Sequence, residues 1–242
     1  MTSGILLVNK EVGISSQKCV YLTRKKLGIK KVGHTGTLDL EAKGLLPIVI
    51  GKATRVSDHL MNEKKEYVTQ AFFGKETDTL DYSGKIINES SKIIKKSDLE
   101  EVIKEFIGEI EQVPPMYSAL KINGQKLYDL ARKGKEVERK KRKVHIYNIE
   151  IEDFSFPFAS LKITCSKGTY IRSLVDDIGK KLETYAYVNE LIRTKVGDFD
   201  LKDAINSEEI KDLKEDFIKD KILPIDLALK DYEKIEMDKS FF

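Results

Sequence analysis

The chain has 242 residues, 40% of them hydrophobic, which is enough for one large domain with a buried core. Its 43 lysines and arginines nearly balance its 40 aspartates and glutamates, for a net charge of +3, so composition alone indicates no polyanionic partner. No apolar run approaches the length of a membrane span and the N-terminus lacks a signal-peptide pattern, which excludes a membrane protein and predicts a cytoplasmic location.

Hydrophobic periodicity and turn residues predict short strands interspersed with helices. In chain order they predict a strand at 4–8, a helix at 16–27, a loop at 33–39, a strand at 48–50, a helix at 53–61, strands at 67–73 and near 85–87, a helix at 97–110, a strand at 117–122, a helix at 125–133, paired strands at 144–154 and 161–165, a helix at 170–182, a strand-like segment at 188–199 and a helix starting at 207. The helix at 97–110 follows from a capping-box pattern at Ser97 and Glu100 ahead of apolar residues at helical spacing. The absence of a regular strand-helix-strand alternation indicates an α+β fold with a mixed, mostly antiparallel sheet flanked by helices.

The loop at 33–39 is the first candidate for chemistry. It places His34 and Asp39 among two glycines and two threonines, a composition that disfavours regular structure. Loops on a rigid scaffold commonly carry functional residues. The alternative is a surface turn in which Asp39 hydrogen-bonds its own backbone, and spacing alone leaves both interpretations open.

A run of five cations at 139–143 is the second candidate. On its own it is equally well explained as a solvated hairpin tip. Further cations lie just upstream, and Tyr117 and Tyr128 flank the segment. Basic residues with aromatic neighbours favour a nucleic-acid surface over a membrane surface, since no large amphipathic face accompanies them.

Spacing excludes one other site class and argues against a second. The segment at Gly51 and Lys52 is not a phosphate-binding loop, because Leu46 stands where that pattern requires glycine and no Ser or Thr follows the lysine. His34 and Asp39 lack further metal ligands at a recognisable spacing. The two cysteines also lack the spacing of a zinc site, so we expect no metal and buried thiols in a reducing compartment.

Several motifs in register make the chain similar to the TruB family of bacterial tRNA pseudouridine synthases, along most of residues 4–199. These motifs are Asn9-Lys10 with Gly13, Ser15 and Ser16; Gly33-His34-Thr35-Gly36-Thr37-Leu38-Asp39; Gly44-Leu45-Leu46-Pro47; Tyr67; Thr77-Asp78-Thr79; residues 114–121; and Lys167-Gly168-Thr169-Tyr170-Ile171-Arg172-Ser173-Leu174. The sequence departs from the family pattern at Glu11, where proline is usual, and at residues 40–43, which replace a Pro-Leu-Ala-Thr-like stretch.

The resemblance implies a pseudouridine synthase fold and an activity. We expect a catalytic domain at 1–200 and a short helical extension at 201–242. The family's C-terminal RNA-binding domain, often of the PUA type, is expected to be absent or vestigial. The implied activity is isomerisation of the T-loop uridine of tRNA by a monomer that uses the T stem-loop as substrate, without guide RNA, metal or cofactor.

The resemblance also assigns roles to individual residues. Asp39 is the ionised carboxylate at the junction of sugar and base, and Arg172 is its partner, which is physically sensible because a nearby guanidinium favours the charged carboxylate. Tyr67 is the aromatic on which the base stacks and a candidate for proton transfer at C5, although a structural tyrosine in a strand is the alternative. The implied substrate-binding residues are Lys10, His34, Asp81, Tyr170 and Leu191. The implied contacts to the RNA backbone are Lys121, Arg139, Lys140, Lys141, Arg142 and Lys143.

The reaction itself sets what such a site must provide. Pseudouridine formation breaks the bond between ribose C1′ and uracil N1 and rejoins the base through C5, with no redox change. Whether the aspartate attacks C1′, attacks the base or removes a ribose proton is open from the sequence. So are three rival functions: a catalytically idle RNA-binding or tRNA-folding protein on the same scaffold, a small-molecule hydrolase, and a guide-RNA-dependent relative.

Overall fold

The described residues form a ten-stranded mixed sheet that runs through the protein. The structure is a computed structural model, and it describes residues 2–118, 120–122, 124–230 and 233, with only the backbone at Lys121 and Lys126. The motif at 114–121 and the extension at 201–242 therefore lie partly outside the described residues.

Helices are interspersed among the described strands. The strands are β1 (Gly4–Lys10), β2 (Val32–His34), β3 (Lys43–Ile50), β4 (Lys65–Phe73), β5 (Lys75–Thr77), β6 (Ile86–Glu89), β7 (Gly108–Gln112), β8 (Lys121–Ile122), β9 (Gln125–Lys126), β10 (Arg142–Ser155), β11 (Phe158–Cys165), β12 (Ala186–Val196), β13 (Phe199–Asp200) and β14 (Ile205–Asn206). The α-helices are α1 (Ser16–Leu27), α2 (Ser57–Asn62), α3 (Lys96–Lys104), α4 (Leu127–Ala131), α5 (Ile171–Lys181) and α6 (Glu215–Asp220). Four 3₁₀ segments are Gly51–Val56, Leu201–Asp203, Glu209–Lys211 and Ile225–Ala228.

The main sheet has the strand order β14-β1-β3-β12-β4-β11-β10-β7, with β2 paired to β3 and β13 paired to β12. The β1–β14 and β3–β12 pairs are parallel, and the other described pairs in this sheet are antiparallel. The predicted α+β fold with a mostly antiparallel sheet is therefore confirmed. The predicted hairpin of paired strands is also confirmed, as β10 and β11.

Side chains of β1 enter two hydrophobic cores, one on each face of the sheet. Leu6 and Val8 lie in the larger core, which α1, α3 and α5 cover. Ile5 and Leu7 lie in the smaller core, which is closed by the chain around residues 223–228. A strand buried on both faces has a continuous apolar sequence, which is why the run at 4–8 was recognisable as a buried strand.

Two close backbone approaches place the elements that carry the candidate site. Gly44 has a φ of +112°, and a Cβ there would collide with the backbone of Arg193, so β3 and β12 can run side by side. A Cβ at Gly179 would collide with the backbone of Tyr185 and Ala186, so glycine lets α5 pack closely on the start of β12.

The predicted helix at 97–110 is wrong over its second half. Helix α3 ends at Lys104, and Gly108–Gln112 forms β7, in which Ile110 pairs with Val144 of β10. The apolar residues there follow strand pairing, and long-range pairing overrides a local helical pattern. The predicted cap is also displaced, since Asp98 accepts a hydrogen bond from the Lys95 N–H at 2.8 Å.

Other boundaries differ for similar reasons. The predicted helix at 53–61 is divided into a 3₁₀ segment and α2, and the predicted strand at 117–122 is reduced to two residues. The predicted helix at 125–133 is shortened to α4, and the helix predicted to start at 207 begins as a 3₁₀ turn. His34, predicted in a loop, ends the short strand β2.

The chain beyond Asp200 packs against β1. Ile205 pairs in parallel with Val8, and Leu223 exchanges backbone hydrogen bonds with Ile5 at 2.8 and 2.9 Å. The domain boundary near residue 200 stays a prediction. In the described part of the chain, no helix is long and apolar enough to cross a membrane.

Candidate active site

Asp39 and Arg172 meet in an ion pair at the mouth of a cleft. Asp39 lies between β2 and β3, and Arg172 is the second residue of α5. The Arg172 Nε donates a hydrogen bond to Asp39 Oδ2 at 3.0 Å, and Nη2 lies 2.8 Å from the same oxygen. Among the described residues, none donates a hydrogen bond to Oδ1. One carboxylate oxygen is thus held by the guanidinium while the other is available to a ligand.

Arg172 is fixed by more than Asp39. Its Nη1 donates to the Thr79 carbonyl at 2.8 Å and lies 3.4 Å from Asp81 Oδ2, while Nη2 donates to the Tyr117 carbonyl at 2.7 Å. The side chain is only 4% exposed. A planar guanidinium with partners on all three nitrogens has little freedom, so it sets the orientation of Asp39.

Hydrogen bonds hold the loop that carries Asp39 at both of its ends. The Leu38 N–H donates to Ser16 Oγ at 2.9 Å, and the Ser16 hydroxyl donates back to the Leu38 carbonyl at 3.2 Å. The Thr35 N–H and hydroxyl both donate to the Pro47 carbonyl, at 3.2 and 3.4 Å. The start of α1 and strand β3 therefore hold the segment that the glycines and threonines made irregular.

Lys10 supports the chain that follows Asp39. Its buried ammonium donates to the carbonyls of Glu11, Ile14 and Leu40 at 2.9, 2.8 and 3.4 Å. Burial lowers the pKa of Lys10 to about 8, and the charge of Asp39 is among the influences that oppose this shift. The predicted substrate-binding lysine is thus placed beneath the loop, as a support.

Asp81 orients Arg172 from the opposite side. Its Oδ1 accepts hydrogen bonds from the Thr79 hydroxyl, the Ser83 hydroxyl and the Ser83 N–H at 2.7, 2.6 and 3.1 Å. The residue is 6% exposed. These three donors satisfy one oxygen and leave the other to face the guanidinium.

The cleft in front of Asp39 has a volume of about 750 Å³. His34 lines it together with Tyr117, Tyr128 and Arg132. The His34 Nδ1 accepts a hydrogen bond from the Gly36 N–H at 3.4 Å. Burial first, and then the charge of Arg193, lower the pKa of His34, so the imidazole is neutral at physiological pH and its Nε2 carries the proton.

Tyr67 is not among the described residues that line the Asp39 cleft. It is in β4, directly opposite Arg193 of β12, and it lines a separate cavity of about 570 Å³ that also touches Thr35 and Gly36. Burial raises the pKa of Tyr67, the Arg193 guanidinium opposes this, and the charge of Asp39 adds to the rise. Tyr67 is therefore electrostatically coupled to Asp39 without lining the same cleft.

Arg193 is a site residue that the sequence analysis missed. It is 1% exposed, and its guanidinium donates to the Leu45 carbonyl at 2.7 Å and the Gly36 carbonyl at 3.2 Å. It thereby supports the Asp39 loop from below and faces Tyr67. In the sequence, Arg193 is only a single arginine in a strand whose other residues are about half apolar. Such an arginine indicates a site only when its hydrogen-bond partners are known.

Leu191 and Tyr170, two of the predicted substrate-binding residues, lie in different places from each other. Leu191 lines a small cavity behind Asp39 and Arg172. Tyr170 caps α5, and its backbone exchanges hydrogen bonds with the Gln112 side chain at 3.0 and 3.1 Å. In the described part of the chain, the Tyr170 ring does not line the Asp39 cleft.

The five-cation run is partly paired with carboxylates. Lys143 lies 2.7 Å from Glu109 and Lys141 lies 3.7 Å from Glu111, both on β7, and Arg139 lies 3.4 Å from Glu136 and donates to the Pro114 carbonyl at 3.1 Å. The Glu109 contact raises the pKa of Lys143. Residues 142 and 143 belong to β10, whose hairpin turn is at 156–157, so the alternative of a hairpin tip is wrong. The predicted contact Lys121 has a side chain outside the described residues.

A second contact that the sequence did not reveal joins the two loops beside Asp39. The Tyr82 hydroxyl donates a short hydrogen bond to Glu41 Oε2. This hydrogen bond raises the pKa of Tyr82 to about 12. Glu41 lies in the stretch where the sequence departs from the family pattern, so the contact ties the chain after Asp39 to the segment that carries Asp81.

Among the described residues, no group of three or more His, Cys, Asp or Glu side chains is arranged to hold a metal ion. The cleft instead combines one accessible carboxylate, a fixed guanidinium and a neutral imidazole. This set can stabilise or attack an electron-poor carbon and hold a planar ring.

Two family models match the chain. A model described as TruB family pseudouridylate synthase (N terminal domain) matches residues 24–171, and one described as tRNA pseudouridylate synthase B C-terminal domain matches residues 172–230.

Relatives and solved structures agree with these matches. The tRNA pseudouridine synthase B of Clostridium tetani is 48% identical, over 99% of this chain and 82% of the relative. That of Bacillus pumilus is 43% identical, over 98% of this chain and 80% of the relative. The crystal structure of a Cbf5-Nop10-Gar1 complex contains a chain with a TM-score of 0.73 and 30% identity, over 94% of this chain and 61% of that chain.

Proposed function

The chain belongs to the TruB family of tRNA pseudouridine synthases, and from this we propose that it isomerises the T-loop uridine of tRNA through Asp39. It is an isomerase acting on tRNA. The observation that carries the assignment to Asp39 is its geometry: one oxygen is held by a buried guanidinium and the other accepts no hydrogen bond from the described residues.

Asp39 supplies the charge that the reaction needs. Breaking the bond between C1′ and N1 leaves electron deficiency at C1′ and negative charge on the uracil. An ionised carboxylate next to C1′ stabilises that carbon, either through space or by bonding to it. Arg172 holds the carboxylate in place through two contacts to Oδ2, and a preorganised group of this kind needs no reorganisation during the reaction.

Tyr67 is proposed to hold the detached base. The base leaves the stacked loop at a cost of a few kcal/mol, and stacking on an aromatic ring returns about 1–3 kcal/mol. After the base rotates, C5 bonds to C1′, the proton on C5 is removed and N1 takes up a proton, so the product is an isomer of the substrate. We assign the removal of the C5 proton to the Tyr67 phenol, which faces Arg193.

His34 and the exposed cations are proposed to hold the RNA. A neutral imidazole stacks and hydrogen-bonds well against the T-loop bases, and it lines the same cleft as Asp39. Lys140 is exposed, and the lysines paired with Glu109 and Glu111 can exchange those partners for phosphates. Lys10, Leu191 and Tyr170 support the pocket and do no chemistry in this proposal.

We further propose that the protein acts as a stand-alone monomer in the cytoplasm, without guide RNA, cofactor or metal. The similar solved structures include one titled as an H/ACA RNP bound to a substrate RNA, which shares 27% identity and a TM-score of 0.70. The relatives at higher identity carry the name tRNA pseudouridine synthase B. Those higher identities favour stand-alone action.

The test is incubation of the purified protein with an unmodified T stem-loop RNA and no other protein or RNA. We expect pseudouridine at one loop uridine, detected by carbodiimide-dependent stops in reverse transcription. Tight RNA binding without any product would instead identify the idle RNA-binding protein. Indifference to RNA would reject both interpretations.

A further inference from the structure

Two cavities flank the segment between His34 and Asp39. His34, Thr37 and Asp39 line the cleft described above. Thr35 and Gly36 line the second cavity, on the side of Tyr67 and Arg193. A nucleotide held at Asp39 therefore has two open cavities next to this segment.

The second cavity is strongly basic. We call it the basic pocket, and its described lining residues are Thr35, Gly36, Met61, Lys65, Tyr67, Arg142, Lys143, Val144, Ser166, Lys167, Gly168, Thr169 and Arg193. Within the described chain, this lining has five cations and no carboxylate. The Asp39 cleft, by contrast, includes three carboxylates, Asp39, Glu41 and Asp81, beside its two arginines.

Two of these cations are buried and have no carboxylate in their described hydrogen bonds. Arg193 donates to backbone carbonyls. The Lys65 ammonium donates to the carbonyls of Leu60, Met61 and Glu63 at 3.4, 2.6 and 2.6 Å, and it is 6% exposed. Burial first, and then Arg193 and Lys167, lower the pKa of Lys65 to about 8, while the charge of Glu63 opposes the shift. Because the described lining holds five cations and no carboxylate, the potential inside the pocket is positive.

Of the other three cations, Lys143 is paired with Glu109 at 2.7 Å, whereas Lys167 and Arg142 have no described carboxylate partner. Lys167 is exposed and donates to the neutral amide oxygen of Asn62 at 2.6 Å. The Arg142 guanidinium lies 5.9 Å from the centre of the Tyr170 ring, and its buried Nε has no described hydrogen-bond partner. An anion entering here would meet two cations whose charges no described carboxylate neutralises.

We propose that the basic pocket binds a backbone phosphate of the RNA immediately next to the extruded uridine. This inference rests on the proposed function, in which the base stacks on Tyr67 and the ribose lies at Asp39. Tyr67 also lines the pocket, so a nucleotide in that position has its neighbouring phosphate within reach of Lys167 and Arg142. The buried cations Arg193 and Lys65 act on this phosphate through their charge, and the other two cations donate hydrogen bonds to it.

The experiment pairs a protein variant with single phosphate replacements. T stem-loop RNAs, each with one uncharged methylphosphonate in the loop, are titrated against the wild-type protein and Lys167→Gln. The matched control is Lys92→Gln, since Lys92 is also exposed and pairs with Glu183 beyond the opposite end of α5.

We expect one methylphosphonate next to the target uridine to raise the wild-type Kd about tenfold. The same replacement should raise the Kd of Lys167→Gln by clearly less than about tenfold, because one of the two cations that would have donated to that phosphate is gone. The Lys92→Gln control should retain the full wild-type effect. If Lys167→Gln and each methylphosphonate act independently, so that their fold-increases in Kd multiply in every combination, no phosphate is bound by this pocket and the proposal fails.

Two further measurements keep the result interpretable. Thermal unfolding shows whether Lys167→Gln is folded, and Arg142→Gln replaces it in the same titration if it is not. Pseudouridine formation by the wild-type protein on the unmodified RNA tests the proposed function separately. If Lys167→Gln weakens the methylphosphonate effect but no pseudouridine forms, the isomerisation is rejected and the phosphate pocket is retained. If pseudouridine forms but Lys167→Gln does not change the methylphosphonate effect, only the phosphate pocket is rejected.

Discussion

Arg172 and Asp39 are 133 positions apart in the sequence, yet Nε and Nη2 of the arginine both contact Oδ2 of the aspartate, at 3.0 and 2.8 Å. The arginine is buried and the aspartate is 36% exposed. The pair therefore presents a charged carboxylate to the cleft from a rigid support, and this arrangement generates the first two predictions.

Asp39→Asn should abolish isomerisation while leaving tRNA affinity within a few fold. An amide cannot supply the negative charge at C1′, but it has nearly the same shape and leaves the RNA surface unchanged. Single-turnover pseudouridine formation and an RNA titration measure the two effects. The exposed Asp153 on β10 provides the control Asp153→Asn, which should behave as wild type. Activity near the wild-type level in Asp39→Asn would remove Asp39 from its proposed role.

Arg172→Lys should lose both stability and activity although it keeps the charge. A lysine cannot reach Asp39, Asp81 and the two carbonyls together, so buried partners are left unsatisfied. We expect a loss of about 3–5 kcal/mol in the free energy of unfolding, measured by urea denaturation. At RNA concentrations that saturate the folded variant, the rate should still be at least about a hundredfold lower. A variant as stable and active as wild type would show that the hydrogen bonds of the Arg172 guanidinium contribute neither to stability nor to activity.

Glu41→Gln should lower the pKa of Tyr82. The hydrogen bond to Glu41 holds that pKa at about 12, and a neutral amide favours the protonated phenol less than a carboxylate does. The pKa should therefore return toward the ordinary value of about 10, measured by NMR titration of tyrosine labelled at Cζ. Glu190→Gln, in a neighbouring pocket that Tyr82 also lines, is the control and should leave the titration unchanged.

The buried Asp176 should make stability fall as pH rises through weakly acidic values. Burial raises its pKa to about 6, while Lys180 at 2.8 Å opposes the shift. The folded protein thus binds this proton more tightly than the unfolded chain, whose carboxyl titrates near 3.9. Its contribution to stability is complete below about pH 4 and is lost as pH rises to 6.

The corresponding measurement compares the wild-type protein with Asp176→Asn. The difference in their unfolding free energies, followed by denaturation from pH 4 to 7, should change by about 1–3 kcal/mol. Asp153→Asn should give a difference that does not vary over this range. A flat difference for Asp176→Asn would mean that the folded protein does not raise the pKa of this carboxyl.

Removing the carboxylates beside the cationic run should tighten RNA binding. Glu109 and Glu111 compete with phosphates for Lys143 and Lys141, so Glu109→Gln with Glu111→Gln should lower the Kd. Neutralising Lys140 and Lys141 should do the opposite and reduce the slope of log Kd against log salt by about 0.7–0.9 for each phosphate that these lysines neutralise in the wild-type complex. The rate at saturating RNA should be unchanged in all these variants. A salt slope that stays constant would show that the run does not contact the RNA.

The sequence predicted the elements whose signals are local. Helix α1 spans the predicted residues 16–27, with Ser15 as its N-cap and Gly28 as its C-cap. The β10–β11 hairpin has alternation on both arms, and the fold class followed from the order of such elements. The second half of the helix at 97–110 failed because the pairing of Ile110 with Val144 is set by residues far away in the chain.

The candidate site shows the same division. Asp39, Arg172 and Tyr67 were identified through motifs that this chain shares with a known family, and their individual roles stay predictions. Arg193 and the contact between Glu41 and Tyr82 were not identified, because a single arginine or glutamate has no local pattern that reveals its partner.

The amino-acid sequence by itself therefore determined which side chains are candidates for the chemistry and which short segments become helix or strand, since caps, periodicity and motifs act over a few residues. Only the tertiary structure decided that Arg172 holds one oxygen of Asp39, that Tyr67 pairs with Arg193 across two strands, and that five cations line one cavity. Contacts between distant segments depend on how the sheet and helices pack, and the free energy of that packing comes from the whole chain rather than from any one stretch of it.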